Sequence, residues 1–563
     1  MMKKLLSALL VASLPTLVSA QSTLQSVSNI FQANCTTGCH SGGNPSANLD
    51  LSGNPASLVS ALVGVDPVNP AAQAKGYKLV DAGYPHNSFL LYKCATPAWD
   101  DQFGMDVAEG GVMPSGQASL EKEEIELVRQ WIIYGAKQNG TVVDPQVLDD
   151  YYNDNGMDRI DQPAAPAVGE GFQMHLGPFF LEPGDEVEFY KKEQLLDNSE
   201  QNVVKFEGYF NDESHHFLLF ELDEQTAAGE DEGLRPVGIQ NAFQNPYMVG
   251  WVDPDVLELP YGTAYKIDEN SMIDLNYHII NYASNGDSIL AAEVYINYFT
   301  DNNSPDLIEM ESDLLIYPTI FIPNTGAEVS FTGNATFDDQ NPETDSIYVW
   351  FLSSHTHKYG TDYDIFKRNP DGSQGDQLYE GFYNTTYDFN QGYYDWEHPG
   401  NLYLDDVYGE ILPIAENDGL IQTATFQIPG SANESAPFIT FGLTTDDEMM
   451  LAFIQYTRER IPTDPNGIFD NRKDEPSFMS IYPNPTDGIS SIKFSLEESA
   501  DVQLTVFNSL GQKVNQVYSG SLSAGQASFE FDASNGQDPN GLYLIQLIVN
   551  DKVYSDRLLQ LNR

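Results

Sequence analysis

The chain has 563 residues with 83 acidic and 26 basic side chains, and its net charge of −57 argues against nucleic acid or an anionic membrane surface as a partner. A chain of this length is too long for one hydrophobic core, so we expect several domains. Aromatic residues make up 12% of the chain, and turn-forming residues are frequent, which is typical of β-structure. These features predict a multidomain, mainly β protein. Three cysteines are too few for a disulfide framework and should have a specific role.

The amino terminus has the features of a signal peptide over residues 1–20. Lys3 and Lys4 precede an apolar run, and the small residues Ser19 and Ala20 follow it. The run is too short to span a bilayer, and no other stretch of the sequence is apolar enough to do so. We therefore expect an exported, soluble protein without a transmembrane segment.

The first domain predicted is 21–140, and it contains all three cysteines. Cys35 and Cys39 are followed at once by His40, an arrangement in which two thioethers attach a haem and the imidazole binds its iron. Three residues separate the cysteines, instead of the usual two. A disulfide from Cys35 to Cys39 or to Cys94, beside an ordinary histidine, is the alternative.

A methionine and a helix complete this domain. Met113 stands in the glycine-rich loop GGVMPSGQ, and the stretch LEKEEIELVRQWIIYGAKQNG predicts a helix with one apolar stripe. With the cysteines, these features resemble a small c-type cytochrome domain that ends in a Trp-Ile…Gly-Ala signature. The resemblance implies covalent haem with His40 and Met113 as axial ligands, and Met105 is the competing methionine.

Residues 141–166 are acidic and rich in Pro and Ala, which is typical of a linker. Beyond it, short alternating segments separated by turn residues predict β-sandwich structure. His215 and His216 begin one apolar strand, and His278 lies in another. Adjacent residues of a regular strand face opposite ways, so the pair can bind one metal only if the strand is bulged.

A second group of candidate ligands follows in the chain. His355 and His357 end the strand-like stretch DSIYVWFLSSHTH, and residues two apart in a strand share a face. Met449 follows Asp447 and Glu448, and its soft thioether favours Cu(I). Met450 is its competitor, but neighbouring residues of a strand point to opposite faces.

The order His-His, lone His, His-x-His and Asp-Glu-Met resembles the copper type II, ascorbate-dependent monooxygenases, the family of peptidylglycine α-hydroxylating monooxygenase and dopamine β-monooxygenase. The resemblance implies two jelly-roll-like β-sandwiches, 167–300 and 301–462, with one copper on each. It implies an electron-transfer copper on His215, His216 and His278 and a catalytic, oxygen-activating copper on His355, His357 and Met449.

Some positions depart from that family. Leu451 and Phe453 stand where peptide-hydroxylating members carry polar residues, and Ser353 stands where a basic residue is expected. These positions argue against a peptidylglycine substrate. We assign a structural or surface role to the three remaining histidines, His86, His175 and His398.

After a polar linker, 463–477, the last segment, 478–563, predicts a small β-sandwich. The motif Tyr-Pro-Asn-Pro from Tyr482, the triplet Gly-Leu-Tyr from Gly541 and the ending KVYSDRLLQLNR resemble the C-terminal sorting domain of type IX secretion substrates in Bacteroidetes-like bacteria. The resemblance implies the type IX secretion machinery as a partner and a secreted or cell-surface location.

We therefore expect a secreted copper monooxygenase that inserts one atom of O2 into a C–H bond of a small substrate. Its two electrons would come from an external donor through the fused haem domain, which we expect to dock nearer His215 than Met449. The alternative is a non-catalytic haem and copper protein that transfers electrons or binds a ligand.

Overall fold

The computed structural model describes most of the chain, and the fold below refers to these residues. They are 22–194, 199–211, 214–238, 242–251, 254–283, 288–304, 306–336, 346–381, 387–388, 393–394, 401–404, 412–415, 418–430, 435–461, 479–482, 488–496, 499–508, 513–533, 542–550 and 552–559. The predicted signal peptide, the linker 463–477, His398 and part of the Tyr-Pro-Asn-Pro motif lie outside them. The chain divides into two compact units, Met1–Pro462 and Thr463–Arg563.

Helices are concentrated in the first 155 residues. The α-helices are α1 (Thr23–Asn34), α2 (Pro55–Leu62), α3 (Pro70–Ala74), α4 (Phe89–Cys94), α5 (Lys122–Ile133), α6 (Pro145–Asp150) and α7 (Glu224–Gly229). Single helical turns of other types lie at Ser46–Asn48, Pro85–Asn87, Asp101–Phe103, Val107–Glu109 and Tyr151–Asn155.

The rest of the described chain is built from strands. In the first unit they are β1 (Gly171–Leu181), β2 (Glu186–Gln194), β3 (Gln201–Phe210), β4 (Ser214–Leu222), β5 (Arg235–Pro236), β6 (Tyr247–Trp251), β7 (Val256–Glu258), β8 (Thr263–Ile267), β9 (Met272–Ile280), β10 (Leu290–Thr300), β11 (Ile308–Ile316), β12 (Phe321–Pro323), β13 (Val329–Thr336), β14 (Ser346–His355), β15 (Gly360–Arg368), β16 (Gln374–Glu380), β17 (Tyr387–Asp388), β18 (Tyr393–Tyr394), β19 (Leu402–Tyr403), β20 (Leu412–Ala415), β21 (Gly419–Phe426), β22 (Phe438–Thr440) and β23 (Leu451–Thr457). In the second unit they are β24 (Met479–Tyr482), β25 (Ile489–Leu496), β26 (Ala500–Asn508), β27 (Lys513–Leu522), β28 (Gly525–Asp532), β29 (Leu542–Val549) and β30 (Lys552–Leu559). The expectation of a multidomain, mainly β protein is confirmed.

The helical domain has its own apolar core, to which the predicted stripe of α5 contributes most. Ile125, Val128, Trp131 and Ile132 are fully buried, as their spacing predicts. The helix begins at a capping box, in which the Glu124 carboxylate accepts a hydrogen bond from the Glu121 backbone N–H at 3.1 Å. Cys35, the first residue of the Cys-Cys-His motif, packs against this core.

Two β-sandwiches follow, and one sheet runs through both. Its strands are ordered β1-β10-β3-β8-β11-β23-β14-β19, and the parallel pair β8–β11 joins the two sandwiches. The sheet β5-β2-β9-β4-β6 covers it in the first sandwich, and the sheet β13-β21-β15-β16 covers it in the second. Apolar residues fill the space between the sheets in each case. The shared sheet therefore contains β14 and β23, whereas β4 and β9 belong to the sheet that covers it in the first sandwich.

The helical domain packs on the first sandwich at close range. A Cβ atom added to Gly83, whose φ is +87°, would come within 1.9 Å of the Glu232 backbone oxygen. A Cβ on Gly233 would meet the backbone of Tyr134 at 2.5 Å. Because two backbone segments touch through glycine from opposite sides, the contact between the domains is fitted and specific.

The acidic segment 141–166 contacts both domains that it connects. It contains α6, and Arg159 pairs with Asp100 of the helical domain at 3.1 Å and with Glu293 of the sandwich at 2.8 Å. Asp100 is also paired with the buried Arg129 at 2.6 Å. This segment has the composition of a flexible linker, but its ion pairs hold the two domains together.

The second unit is a small β-sandwich, in agreement with the prediction for 478–563. Sheet β24-β25-β28 packs against sheet β27-β26-β29-β30 around buried Leu504, Val506, Ile545 and Leu547. Across both units, no helix among the described residues is long and apolar enough to cross a membrane.

Candidate metal centre and haem cavity

The first three candidate ligands lie on two neighbouring strands of the first sandwich. The pairing of β4 with β9 shifts register between Ser214 and His216, so His215 is the extra residue of a β-bulge. This irregularity satisfies the condition under which adjacent histidines can turn to one side. The ring centroids of His215 and His216 lie 4.8 and 5.0 Å from that of His278.

The His-x-His pair is positioned differently from the expectation. Strand β14 ends at His355, so His357 lies in the following loop and strand alternation does not orient it. The His357 Nδ1 atom instead lies 3.1 Å from the backbone oxygen of Asp447. The two rings are nevertheless neighbours, with centroids 5.1 Å apart.

Glu448 holds the loops that carry the second group of ligands. Its buried carboxylate accepts hydrogen bonds from the backbone N–H groups of His357 at 2.9 Å, Tyr359 at 2.6 Å and Met449 at 3.3 Å. Burial raises its pKa to about 8. The buried side chain of Glu448 therefore connects the His-x-His loop to the backbone of Met449.

The two adjacent methionines have separate environments. The side chain of Met449 lines a cavity beside His216 and His355, whereas Met450 lies in the hydrophobic core of the second sandwich. Strand β23 begins only at Leu451, so packing against the core, and not strand alternation, separates them.

Five histidines from the two sandwiches form one cluster. The ring centroid of His215 lies 5.3 Å from that of His355 and 5.7 Å from that of His357. Candidate ligand atoms lie within 4.8 Å of one another in two triads, His215 with His216 and His278, and His215 with His355 and His357. The resemblance implies one copper on each sandwich, whereas here the two ligand sets meet and share His215.

Glu186 connects the two halves of the cluster. Its carboxylate lies 2.9 Å from His278 Nε2 and accepts hydrogen bonds from the Thr445 backbone N–H at 3.2 Å and hydroxyl at 3.1 Å. Burial acts to raise the pKa of Glu186, but the hydrogen bonds from His278 and Thr445 outweigh it and keep this pKa below its usual value. An ionised carboxylate thus orients one imidazole while it binds the loop before Met449.

The electrostatics of the cluster keep most of its imidazoles neutral. Burial, reinforced by the neighbouring imidazoles, lowers the pKa values of His215, His216 and His355 well below their usual range. Burial also lowers the pKa of His357 to about 4. Neutral imidazole is the form that binds a transition metal, so these residues are in the ligand state at neutral pH.

The arrangement fits a bound copper ion by the criterion of unsatisfied nitrogen atoms. Among the described residues, neither His216 Nδ1 nor His355 Nε2 has a hydrogen-bond partner, although both atoms are buried. A buried polar atom without a partner is costly, and a metal ion would satisfy it. Imidazole nitrogens together with a thioether sulfur form a donor set that copper prefers.

A cavity of about 110 Å³ opens beside His216, His355 and Met449. Its walls are mostly aromatic and aliphatic, and they include Leu451 and Phe453, the two positions noted from the sequence. The cavity is lined by His216, Leu218, Phe243, Tyr247, Gly250, Trp251, Asp255, Phe351, Ser353, Ser354, His355, Asn401, Met449, Leu451 and Phe453. A small, largely apolar molecule could therefore reach the cluster.

In the helical domain a cavity of about 300 Å³ brings together the four candidate haem ligands, Cys35, Cys39, His40 and Met113. Its other walls are mainly apolar, so the pocket suits a flat hydrophobic macrocycle. Met105 packs on the domain core instead.

The backbone around the cysteines accommodates their unusual spacing. Gly38 adopts a φ of +78°, and the His40 backbone N–H closes the turn on the Cys35 oxygen at 3.1 Å. His40 Nδ1 lies 3.1 Å from the Leu49 backbone oxygen, so Nε2 is the ring nitrogen that could bind a metal ion. All three cysteines are free thiols, so neither alternative disulfide is formed here. Burial raises the pKa of Cys35 to about 11.

The contact between His86 and His175 was not predicted from the sequence. The Nε2 atom of His86, in the helical domain, lies 3.3 Å from Nδ1 of His175, on β1 of the sandwich. Each histidine had been assigned a structural or surface role on its own, without a contact between the domains. Their separation of 89 positions in the chain carries no local signal of it.

The comparisons with known proteins identify one segment. Residues 480–560 match the secretion system C-terminal sorting domain, so the prediction of a sorting domain is confirmed and the protein is exported to the cell surface or beyond. No curated protein matches the sequence.

Solved structures with some likeness include three bacterial proteins. β-Glucuronidase from Ruminococcus gnavus is 9% identical over 42% of this chain and 36% of its own, with a TM-score of 0.12. Bacteroides uniformis β-glucuronidase 3 is 12% identical over 43% and 27%, at 0.11, and dimeric latent PorU from Porphyromonas gingivalis is 11% identical over 68% and 34%, at 0.13. The chain spans only about a third of the length of these proteins, and TM-scores this low do not indicate a shared fold.

Glu448→Gln should loosen the His-x-His loop. The amide nitrogen cannot accept a hydrogen bond, so at least one backbone N–H loses its acceptor, at a cost of about 1–3 kcal/mol in the free energy of unfolding. We expect lower copper content, measured by metal analysis. Asp446→Asn is the control, because Asp446 forms an exposed pair with Lys358.

The same variant tests the pKa of Glu448. Its pKa of about 8 in the folded protein exceeds the ordinary value of 4.5, so the unfolded chain releases this proton first as pH rises. The contribution of Glu448 to stability is complete below pH 4.5 and is lost as pH rises to about 8. Glu448→Gln should remove this component of the pH dependence in denaturant titrations, and an unchanged profile would contradict the assignment.

Proposed function

We propose that this protein is a secreted copper-dependent monooxygenase that hydroxylates a C–H bond of a small substrate with O2 and receives electrons through a fused c-type haem domain. The convergence of five histidines and Met449 beside an apolar cavity supports this proposal most strongly. The sorting domain at 480–560 agrees with action outside the cell.

Bound copper would supply one-electron redox chemistry and the means to reduce dioxygen. The residues of the cluster divide the remaining work. His278 is oriented by Glu186, and His357 is held through its Nδ1 atom and its backbone N–H. Met449 would provide a soft ligand that favours the reduced ion.

The cavity gives the substrate its position. Its aromatic walls, formed by residues such as Tyr247, Trp251 and Phe453, favour an apolar or aromatic group and exclude bulk water from the neighbourhood of Met449. Among the described residues that line the cavity, Asp255 is the only carboxylate. This lining supports a small, mainly hydrophobic substrate over a peptide with a free carboxylate.

The helical domain would hold the haem through Cys35, Cys39, His40 and Met113. Hydroxylation needs two external electrons, because one oxygen atom enters the substrate and the other becomes water. A covalently attached one-electron carrier, in a domain that packs on the first sandwich, would meet this need in two steps.

The test is metal analysis combined with oxygen uptake on the full chain, purified from a host that can attach haem. We expect about one haem and two coppers per chain, and oxygen uptake that depends on both reductant and copper. Protein that carries haem and copper but consumes no oxygen across a panel of small aromatic and aliphatic compounds would favour the non-catalytic alternative.

A further inference from the structure

The two domains meet through a polar contact between histidines. His86 and His175 lie 3.3 Å apart, and both are largely shielded from solvent. Tyr84 adds a hydrogen bond to the Lys192 backbone oxygen at 3.1 Å, and Gln102 donates one to the Tyr295 hydroxyl at 2.9 Å. The domains are therefore held in one fixed orientation rather than on a loose tether.

On the haem side, a chain of aromatic rings leads to this contact. Phe89 lines the haem cavity, and its ring lies 6.2 Å from Tyr77, which stacks on Tyr92 at 4.9 Å. Tyr92 contacts Phe103 edge to face at 5.1 Å, and Phe103 stacks on His86 at 4.9 Å. A series of aromatic rings, with neighbouring centroids 4.9–6.2 Å apart, therefore connects the wall of the haem cavity to the domain boundary.

On the sandwich side, hydrogen bonds lead from this contact to the metal cluster. His175 Nε2 lies 2.9 Å from the Glu293 carboxylate, and the Glu293 backbone N–H donates to Asn211 Oδ1 at 2.8 Å. The Asn211 backbone oxygen accepts from the Ser214 N–H at 3.0 Å, and Ser214 is bonded to His215. The sequence of contacts ends on the histidine that belongs to both triads.

We infer that His86 and His175 form the junction of an electron-transfer route from the haem cavity to His215. This inference rests on the proposed function, since it requires haem in one domain and copper in the other. Each transfer oxidises a ferrous haem iron to ferric and reduces one cupric ion to cuprous. A one-electron donor, such as a small redox protein, then reduces the haem again.

The route assigns a use to both histidines that neither haem binding nor copper binding requires. His175 also stacks on Tyr295 with ring centroids 4.1 Å apart, so its imidazole has a fixed plane. The imidazole rings of His86 and His175 are tilted by 59° at a centroid distance of 5.6 Å, which is close enough for direct electronic contact. Both act as positioning residues and touch neither candidate metal site.

The experiment follows haem reoxidation without oxygen. In the full chain loaded with haem and copper, a photosensitiser flash reduces the haem, and the haem absorption band reports the transfer to copper. His175→Gln keeps a group that can donate to Glu293 but removes the ring that faces His86. We expect haem reoxidation to slow by about tenfold or more, a change of about 1.4 kcal/mol in the barrier.

Tyr84→Phe is the matched control, because it removes the two hydrogen bonds of the Tyr84 hydroxyl, to Lys192 and Glu232, from the same interface without interrupting the route. It should leave the rate unchanged. Both variants must retain the haem spectrum and the copper content, and His86→Gln replaces His175→Gln if that variant does not. Equal rates in His175→Gln and the parent protein would overturn the inference, as would equal slowing in Tyr84→Phe.

The outcome separates the route from the proposed function. Oxygen uptake driven by a reductant that reaches copper directly should survive in His175→Gln. If the parent protein takes up oxygen in this assay but its haem does not transfer electrons to copper, the route is wrong and the oxygenase proposal stands. Fast haem-to-copper transfer without oxygen uptake supports the route and removes the oxygenase proposal.

Discussion

His215→Ala should reduce copper binding more than the loss of any other histidine in the cluster. His215 belongs to both candidate triads, so its removal deprives each site of a nitrogen donor. Changes to groups that only orient metal ligands typically cost about 10–100-fold in metal affinity, and loss of a shared ligand should exceed that range. Metal analysis of the purified variant should find less than one copper per chain, compared with about two in the parent protein.

Two single-site variants provide the comparison. His278→Ala and His355→Ala each affect only one triad, so each should retain about one copper. His355→Ala should also abolish oxygen chemistry while its haem spectrum stays unchanged. His175→Gln, at a half-buried histidine outside the cluster, should retain full copper content. Retention of two coppers by His215→Ala would show that the shared triads do not describe the bound state.

Met113→Ala should convert the haem from low spin towards high spin. The side chain lines the same cavity as His40, and its removal leaves one axial position of the iron without a protein ligand. Covalent attachment through Cys35 and Cys39 should persist, since neither thiol depends on Met113. Absorption spectra of the ferric protein report the spin state, and a haem stain of the denatured chain reports attachment.

Met105→Ala is the control for this assignment. Met105 packs against the core of the helical domain, so its truncation should lower the free energy of unfolding by at most about 2–5 kcal/mol. The spin state should not change. A spin-state change in Met105→Ala together with a normal spectrum in Met113→Ala would reverse the two roles.

The close approach of the two ligand sets has a structural origin. The shared sheet joins the sandwiches through β8 and β11, and Glu186 of the first sandwich binds the loop before Met449 in the second. These contacts bring His215 and His355 to the same interface. The cluster therefore depends on the packing of two domains, and a change at their boundary should affect both triads together.

Features whose parts lie close together in the chain could be predicted from the sequence. Cys35, Cys39 and His40 lie within six residues, so a single turn brings them to one cavity. The apolar spacing of α5 predicted the side that became buried, because helix geometry is local. The C-terminal sorting domain was also recognisable, since its motifs lie within one small sandwich.

Contacts between residues that are distant in the chain depend on tertiary packing and could not be predicted. Strand alternation assigns a residue to a face but does not say which strand will lie opposite, so it could not predict that His215 would reach His355. It also misassigned His357, which a buried Glu448 holds in a loop after the strand has ended. Packing of the helical domain against the first sandwich brings His86 to His175, because only the fitted surfaces of two folded domains specify that contact.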